Sequence, residues 1–175
     1  LVGHGLALTK ITNYTISDVK AINCGNAGVG IFINSNEGQV DCIVENCGNA
    51  TYTGPGFDIN SSKYVTGSVV SFSCYDGARI LDNCWGINLR ASIYNATRHG
   101  FTYNNQSTNV SYNNNIDATV YTCGTTGFIV GLNCRSSNIR AAIYSAGVVG
   151  MTFTNDVTYH ATNLNIDLCT ENSGS

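Results

Sequence analysis

A glycine followed by an apolar–x–apolar step recurs along the chain. The instances are Gly5-Leu6-Ala7-Leu8, Gly30-Ile31-Phe32-Ile33, Gly56-Phe57-Asp58-Ile59, Gly77-Ala78-Arg79-Ile80, Gly100-Phe101-Thr102-Tyr103, Gly127-Phe128-Ile129-Val130 and Gly150-Met151-Thr152-Phe153, with Gly174 opening an eighth. Alternation with a period of two predicts strands. Upstream of each following glycine lies a second alternating run: 19–24, 40–47, 68–72, 89–96, 116–123, 139–146 and 164–168. Two or three short strands in a unit of about 24 residues, separated by Gly and Asn turns, describe one rung of a parallel β-helix. A rung cannot bury its apolar residues alone. Rungs therefore stack about 4.8 Å apart, and seven of them make a prism roughly 34 Å long. A β-sandwich also has short strands at regular spacing, but its strands need not repeat one motif in register, as these do. The expectation is one all-β domain over residues 1–175, a parallel β-helix (solenoid) of about seven rungs.

Composition narrows the picture. The chain has 175 residues, 43% of them hydrophobic and 11% charged, with 19 Gly and a single Pro. Charged residues usually make up about 25%. Exposed positions are filled instead by Asn, Ser, Thr and Gly, which suit turns and strand rims rather than helices. A net charge of −3 without a basic stripe argues against nucleic acid or an anionic membrane as partner. No apolar run reaches the roughly 18 residues a bilayer span needs, and the first residues do not read as a signal peptide. The chain begins at Leu1, which suggests a processed product or a piece of something longer.

Stacking turns the repeat into columns. An inward column reads Val40, Cys42, Val44; then Leu89, Ala91, Ile93; then Ile116, Ala118, Val120; then Ile139, Ala141, Ile143. Asn34, Asn60 and Asn104 follow the first strand at equal offset and are expected to stack as an amide ladder. Of the eight cysteines, Cys24, Cys47 and Cys123 share a column with Ala96 and Ala146, a position that asks for something small and apolar. Cys84 and Cys134 occupy a second column, and no C-x-x-C pair exists. Mostly free, buried thiols are expected, with folding in a reducing cytoplasm and with no metal or cofactor.

The outward columns carry the candidate chemistry. One reads Asp18, Asp41, Val69, Arg90, Asp117, Arg140 and Asn165, its later members an ion ladder; Asp58 and Arg79 read as a similar surface pair. Asp18 and Asp41 on adjacent rungs lie about 5 Å apart, which should raise one pKa. With Glu45 on the same face and Lys20 near, they are the catalytic candidates, since carboxylates about 5 to 5.5 Å apart suit a retaining glycosidase. Another column reads Ile22, Glu45, Ser73, Tyr94, Tyr121, Tyr144 and Cys169. Its three tyrosines form a flat strip suited to a sugar face or to a neighbouring subunit. Trp85 and the insertions at 49–55 and 104–115 should protrude as binding loops, Trp85 as a sugar-stacking residue. His99 and His160 read as surface residues. Phosphate loops, nucleophile elbows and H-E-x-x-H are absent.

The G-φ-x-φ-N steps Gly30-Ile31-Phe32-Ile33-Asn34 and Gly56-Phe57-Asp58-Ile59-Asn60, with the N-C-G-N-A turns at Asn23 to Ala27 and Asn46 to Ala50, resemble the pectin-lyase-like right-handed β-helix superfamily, especially bacteriophage tailspike and tail-fibre proteins. The resemblance covers nearly the whole chain, and it is a pattern of fold rather than a signature of activity. It implies a right-handed helix and a homotrimer that binds and cleaves a bacterial surface polysaccharide, located in a virion tail or on an extracellular surface. Gly3-His4-Gly5 is similar to the G-H-G of polygalacturonases, but Gly30-Ile31-Phe32 stands where R-I-K should follow. Two functions stand open: a tailspike-like segment that engages a polysaccharide, with or without cleaving it, and a non-enzymatic shaft module of a viral fibre or surface adhesin.

Overall fold

A computed structural model describes residues 3–51, 54–105, 108–154 and 161–171. The first four turns each carry two strands: β1 (Leu6–Thr9) and β2 (Thr12–Ile22), β3 (Val29–Phe32) and β4 (Asn36–Glu45), β5 (Pro55–Asn60) and β6 (Lys63–Phe72), β7 (Asp76–Leu81) and β8 (Asn88–Tyr94). The fifth has β9 (Phe101–Asn104), β10 (Ser111–Tyr112) and β11 (Asn115–Val120). The sixth has β12 (Thr126–Val130), β13 (Cys134–Arg135) and β14 (Asn138–Ile143), and the seventh β15 (Val149–Phe153) and β16 (Asn165–Thr170). The odd-turn partners pair in two seven-stranded parallel sheets, β1-β3-β5-β7-β9-β12-β15 and β2-β4-β6-β8-β11-β14-β16, with β10 and β13 forming a narrow third face. The chain is a parallel β-solenoid of about seven turns.

The core is the space between the sheets. Val40, Val44, Leu89, Ile93, Ile116, Val120, Ile139 and Ile143 face inward and are essentially buried, as the alternation requires. From the first sheet they meet Ile31, Phe57, Ile59, Ile80, Phe101 and Phe128. Phe101 and Phe128 stack at 4.9 Å.

The register corrects the repeat at its second unit. Leu6 pairs with Val29 and Val29 with Phe57, so Gly28, not Gly30, is the counterpart of Gly5 and Gly56. A Cβ on Gly28 would lie 2.9 Å from both the Gly56 carbonyl and the Cys47 sulfur, so the sheets approach too closely for a side chain. The expected Asn34–Asn60–Asn104 ladder is lost with that alignment. Asn60 pairs with Phe32 and Leu81, and Leu81 separates it from Asn104. The amides that do stack are Asn88, Asn115, Asn138 and Asn165, at the entrance to the second sheet. There Asn115 donates to Asn88 at 3.0 Å and Asn165 to Asn138 at 3.4 Å.

Corners explain much of the remaining asparagine. Asn23, Asn46, Ser73 and Asn95 close the second sheet with φ between 51° and 56°. Asn tolerates this left-handed conformation, which costs most other residues about 1–2 kcal/mol. The insertion at 104–115 is another correction. Its described residues supply β10 and bury Ser111 and Asn114 rather than projecting them. Asn114 Nδ2 donates to the Cys84 carbonyl at 3.1 Å and the Tyr103 hydroxyl at 2.9 Å, and its Oδ1 accepts from Ile87 N at 2.8 Å. Buried backbone groups between turns thus find side-chain partners. His160 and Gly174 lie outside the described residues.

Candidate functional site

The acidic candidates stand where β2 breaks its pairing with β4. Ile16 pairs with Val40 and Val19 with Cys42, so Ser17 and Asp18 together oppose Asp41 across a bulge. Asp18 has φ 58°, a left-handed conformation imposed by that extra residue. Asp18 and Asp41 line one shallow groove with Lys20, Ile43, Ser68 and Val70. Asp41 is already engaged: its Oδ1 accepts from Ser68 Oγ at 2.7 Å and Ser68 N at 3.1 Å, and its Oδ2 from Gln39 Nε2 at 3.3 Å. The Ser68 hydroxyl hydrogen bond, aided by Gln39, holds its pKa below the usual carboxylate value, opposite to the rise expected of a crowded pair. A carboxylate held ionised in this way fits the nucleophile or base of a glycosidase pair rather than its acid. Glu45 lies further along the strand, tied to Lys20 at 3.0 Å.

The ion ladder has different ends from those expected. Asp41 pairs with Ser68 rather than Val69, Ser68 with Arg90, and the column continues through Asp117 and Arg140 to Asp167 rather than Asn165. Its contacts of 3.7–3.9 Å between exposed groups contribute little to stability.

The tyrosine column is longer than expected and differently oriented. Phe72, not Ser73, precedes Tyr94, and Tyr144 falls beside Glu171 rather than Cys169. Centroid separations are 4.9 Å for Phe72–Tyr94, 4.3 Å for Tyr94–Tyr121 and 5.3 Å for Tyr121–Tyr144, with planes within 16° of parallel. Rings that stack along the solenoid axis cover one another's faces and turn their edges to solvent. A hydrogen bond to Tyr121 holds the Tyr94 hydroxyl above the usual phenol range. Sugar stacking needs an open ring face, and the inner rings of this column have none.

Trp85 is no loop residue. It bridges Lys63 and Tyr112 on the third face and is half-buried. Tyr112 stacks on one side at 4.7 Å, and the Lys63 ammonium lies 3.8 Å from the ring centroid. Together they occupy its faces.

One ion pair was misplaced by the sequence pattern and another escaped it. Asp58 and Arg79 are a buried, bidentate pair, not a surface one: Asp58 is 3% exposed and receives Arg79 Nε at 3.1 Å and Nη2 at 2.8 Å. Asp76, equally buried, accepts two bonds from Arg98 and one from His99 N. A charge immediately before a rung-opening glycine, where other units have Ala27 or Pro55, was the available signal. Beside it, Thr125 Oγ1 donates to the Arg98 carbonyl at 3.0 Å, so it accepts from His99 Nδ1 at 2.9 Å. Burial lowers the His99 pKa. The imidazole is a donor here, and the pair is no base–nucleophile couple.

All eight cysteines are free thiols, six of them buried. Cys74, overlooked in the repeat, joins the Cys24 and Cys47 column, and Ala96, Cys123 and Ala146 continue it. Cys84 and Cys134 are separated by Ser111, which donates structure to both: Cys84 N bonds Ser111 Oγ at 3.0 Å and Ser111 pairs with Cys134. Among the described residues no group of three or more His, Cys, Asp or Glu is arranged to hold a metal ion. Comparison with known proteins gave no matching family model, no matching curated protein and no matching solved structure.

Proposed function

We propose that this chain is a rigid, non-enzymatic shaft segment of a fibre or adhesin, placed in a virion tail or on an extracellular surface. The observation that carries the reading is the stack of Phe72, Tyr94, Tyr121 and Tyr144, whose faces are turned on one another. Aromatic, amide and ionic columns all run along the axis and join turn to turn. Such side chains stiffen a rod and leave few groups converging on a substrate.

Engagement of a bacterial surface polysaccharide, as in tailspike-like proteins, is the second reading. It is favoured by the groove of Asp18, Lys20, Asp41, Ile43, Ser68 and Val70, where charged acceptors border apolar surface as sugar hydroxyls border C–H faces. A homotrimer accompanies both readings, since Ile22, Ile43 and the Tyr edges leave one face of the second sheet partly apolar.

The test is incubation with capsular and O-antigen polysaccharides, followed by viscosity and gel analysis. A shaft leaves every polymer at its starting length and retains none on a column of immobilised protein. Retention without shortening, lost in Asp41→Asn, supports the second reading. Progressive shortening overturns the shaft.

A further inference from the structure

The corner that ends the second sheet places a thiol on three successive turns, Cys24, Cys47 and Cys74, each preceded by a left-handed residue, Asn23, Asn46 or Ser73. Opposite each sulfur stands a rung-opening glycine. Cβ atoms on Gly5, Gly28 and Gly56 would lie 2.7, 2.9 and 2.8 Å from the sulfurs of Cys24, Cys47 and Cys74, so the thiols fill space the fold reserves for them. Cys24 and Cys47 are neighbours in register, since Ile22 pairs with Glu45 and Gly48 N donates to the Cys24 carbonyl at 2.9 Å; Cys47 N donates to Cys74 Sγ at 3.4 Å, and the three thiols donate to the carbonyls of Ile22, Glu45 and Phe72. Exposure is graded. Cys47 and Cys74 are fully buried, whereas Cys24, on the first turn, is partly exposed.

We propose that Cys24 and Cys47 form a thiol–disulfide site that takes up a small dialkyl disulfide and closes to a turn-to-turn Cys24–Cys47 bond. Adjacent turns stand about 4.8 Å apart, inside the roughly 4.4–6.8 Å Cα window of a disulfide, whereas Cys24 and Cys74, two turns apart, fall outside it. The Cys74 thiol, as donor to the Cys47 thiolate, lowers the Cys47 pKa to about 6 against the opposing effect of burial, with backbone and Cys24 donors assisting, whereas burial and the neighbouring Cys47 raise the Cys24 pKa, so uptake through the minor Cys24 thiolate is the slow step. Cys74, as that donor and a buried group, is pushed well above the usual thiol range and is the unreactive neighbour.

The chemistry balances. The Cys24 thiolate attacks one sulfur of R–S–S–R, the S–S bond breaks, and one RS⁻ leaves to be protonated as RSH. The Cys47 thiolate then attacks the Cys24 sulfur of the mixed disulfide and expels the second RS⁻, which also takes up a proton. Two protein thiols are oxidised and one small disulfide is reduced to two thiols.

The test treats the folded chain with oxidised glutathione, removes the excess and measures the intact mass. The expected product has lost two hydrogens and carries no glutathione. Cleavage after Glu37, Glu45 and Lys63 puts Cys24, Cys42, Cys47 and Cys74 on separate peptides, so the bond can be mapped. Cys47→Ala should retain a glutathione adduct on Cys24. The fold accepts alanine in this column, as Ala96 and Ala146 show. Cys24→Ser should take up no glutathione at Cys47. In wild type the closing step is flat above about pH 7, while in Cys74→Ala it rises up to about pH 9. Cys24 and Cys47 staying reduced in the folded chain, a bond mapped to another pair, or loss of glutathione from Cys47→Ala with closure elsewhere would each overturn the proposal.

Discussion

Replacing Tyr121 by alanine separates a stiffening stack from a sugar platform. Tyr121 sits between Tyr94 at 4.3 Å and Tyr144 at 5.3 Å, nearly parallel to both. Each ring pair contributes about 0.5–1.5 kcal/mol beyond burial. Losing two therefore costs about 1–3 kcal/mol. The residue is 40% exposed, so its lost burial adds roughly another 1 kcal/mol. A total near 3 kcal/mol lowers the melting temperature of a chain this size by about 6–12 °C. Tyr121→Phe keeps both ring contacts and loses only the hydroxyl, and is expected to melt within about 3 °C of wild type. The assay is thermal unfolding followed by far-ultraviolet circular dichroism, run beside glycan retention on the same samples. If Tyr121→Ala melts with wild type while abolishing glycan retention, the rings serve a ligand and the structural account of the column fails.

Three further outcomes follow from buried polar groups and from charge. Asn114→Ala leaves Ile87 N unpaired, while Cys84 O keeps Tyr112 N at 3.1 Å and Tyr103 keeps Ser137 at 3.0 Å; a loss of about 1–3 kcal/mol is expected in denaturant unfolding, and a loss under about 0.5 kcal/mol contradicts it. Arg79→Met strands the Asp58 carboxylate in the interior and should cost about 3–5 kcal/mol, with Asp58→Asn/Arg79→Met together recovering much of it in a double-mutant cycle. Asp41 has a depressed pKa, so its stabilisation is complete above the unfolded-state carboxylate pKa and disappears as pH falls through its lower folded value. The melting temperature of wild type should therefore fall more steeply over that acidic window than that of Asp41→Asn; parallel curves would show that the Ser68 bonds do not favour the ionised form.

The fold was legible because a period of two forgives an even slip. Gly30 was aligned with Gly5 where Gly28 belongs, yet a two-residue error keeps inward residues inward, so the core columns survived while the Asn34 ladder did not. An odd slip does not forgive. Val69, placed in the outward ion column, is 1% exposed and faces Cys42 and Ala91, and its outward neighbours are Ser68 and Val70. The doublet Val69-Val70 followed by buried Ser71 gave both faces of β6 similar polarity, which removed the cue. Asp58 shows a different limit: alternation fixes the side of the sheet on which a residue stands but not what lies over that side. The candidate site depended on a bulge and on donors from Gln39 and Ser68, and neither a local insertion nor a cross-turn hydrogen bond leaves a periodic trace.

Parallel stacking in register also explains the composition from which the reading began. Each outward side chain has as nearest neighbours the residues at the same position one turn up and one turn down, so a column can repeat only a group that is complementary to itself. Amides are, as Asn88 to Asn165 show; aromatic rings are, as Phe72 to Tyr144 show; thiols are, as Cys24 to Cys74 show. Like charges about 4.8 Å apart are not, and where charge enters a column it alternates, as in Arg90, Asp117, Arg140 and Asp167. Asp18 and Asp41 would be two carboxylates meeting on neighbouring turns, and at that point β2 takes in an extra residue and turns Asp18 through a left-handed backbone. A charged fraction of 11%, with abundant asparagine, is thus what a long in-register rod requires of its surface.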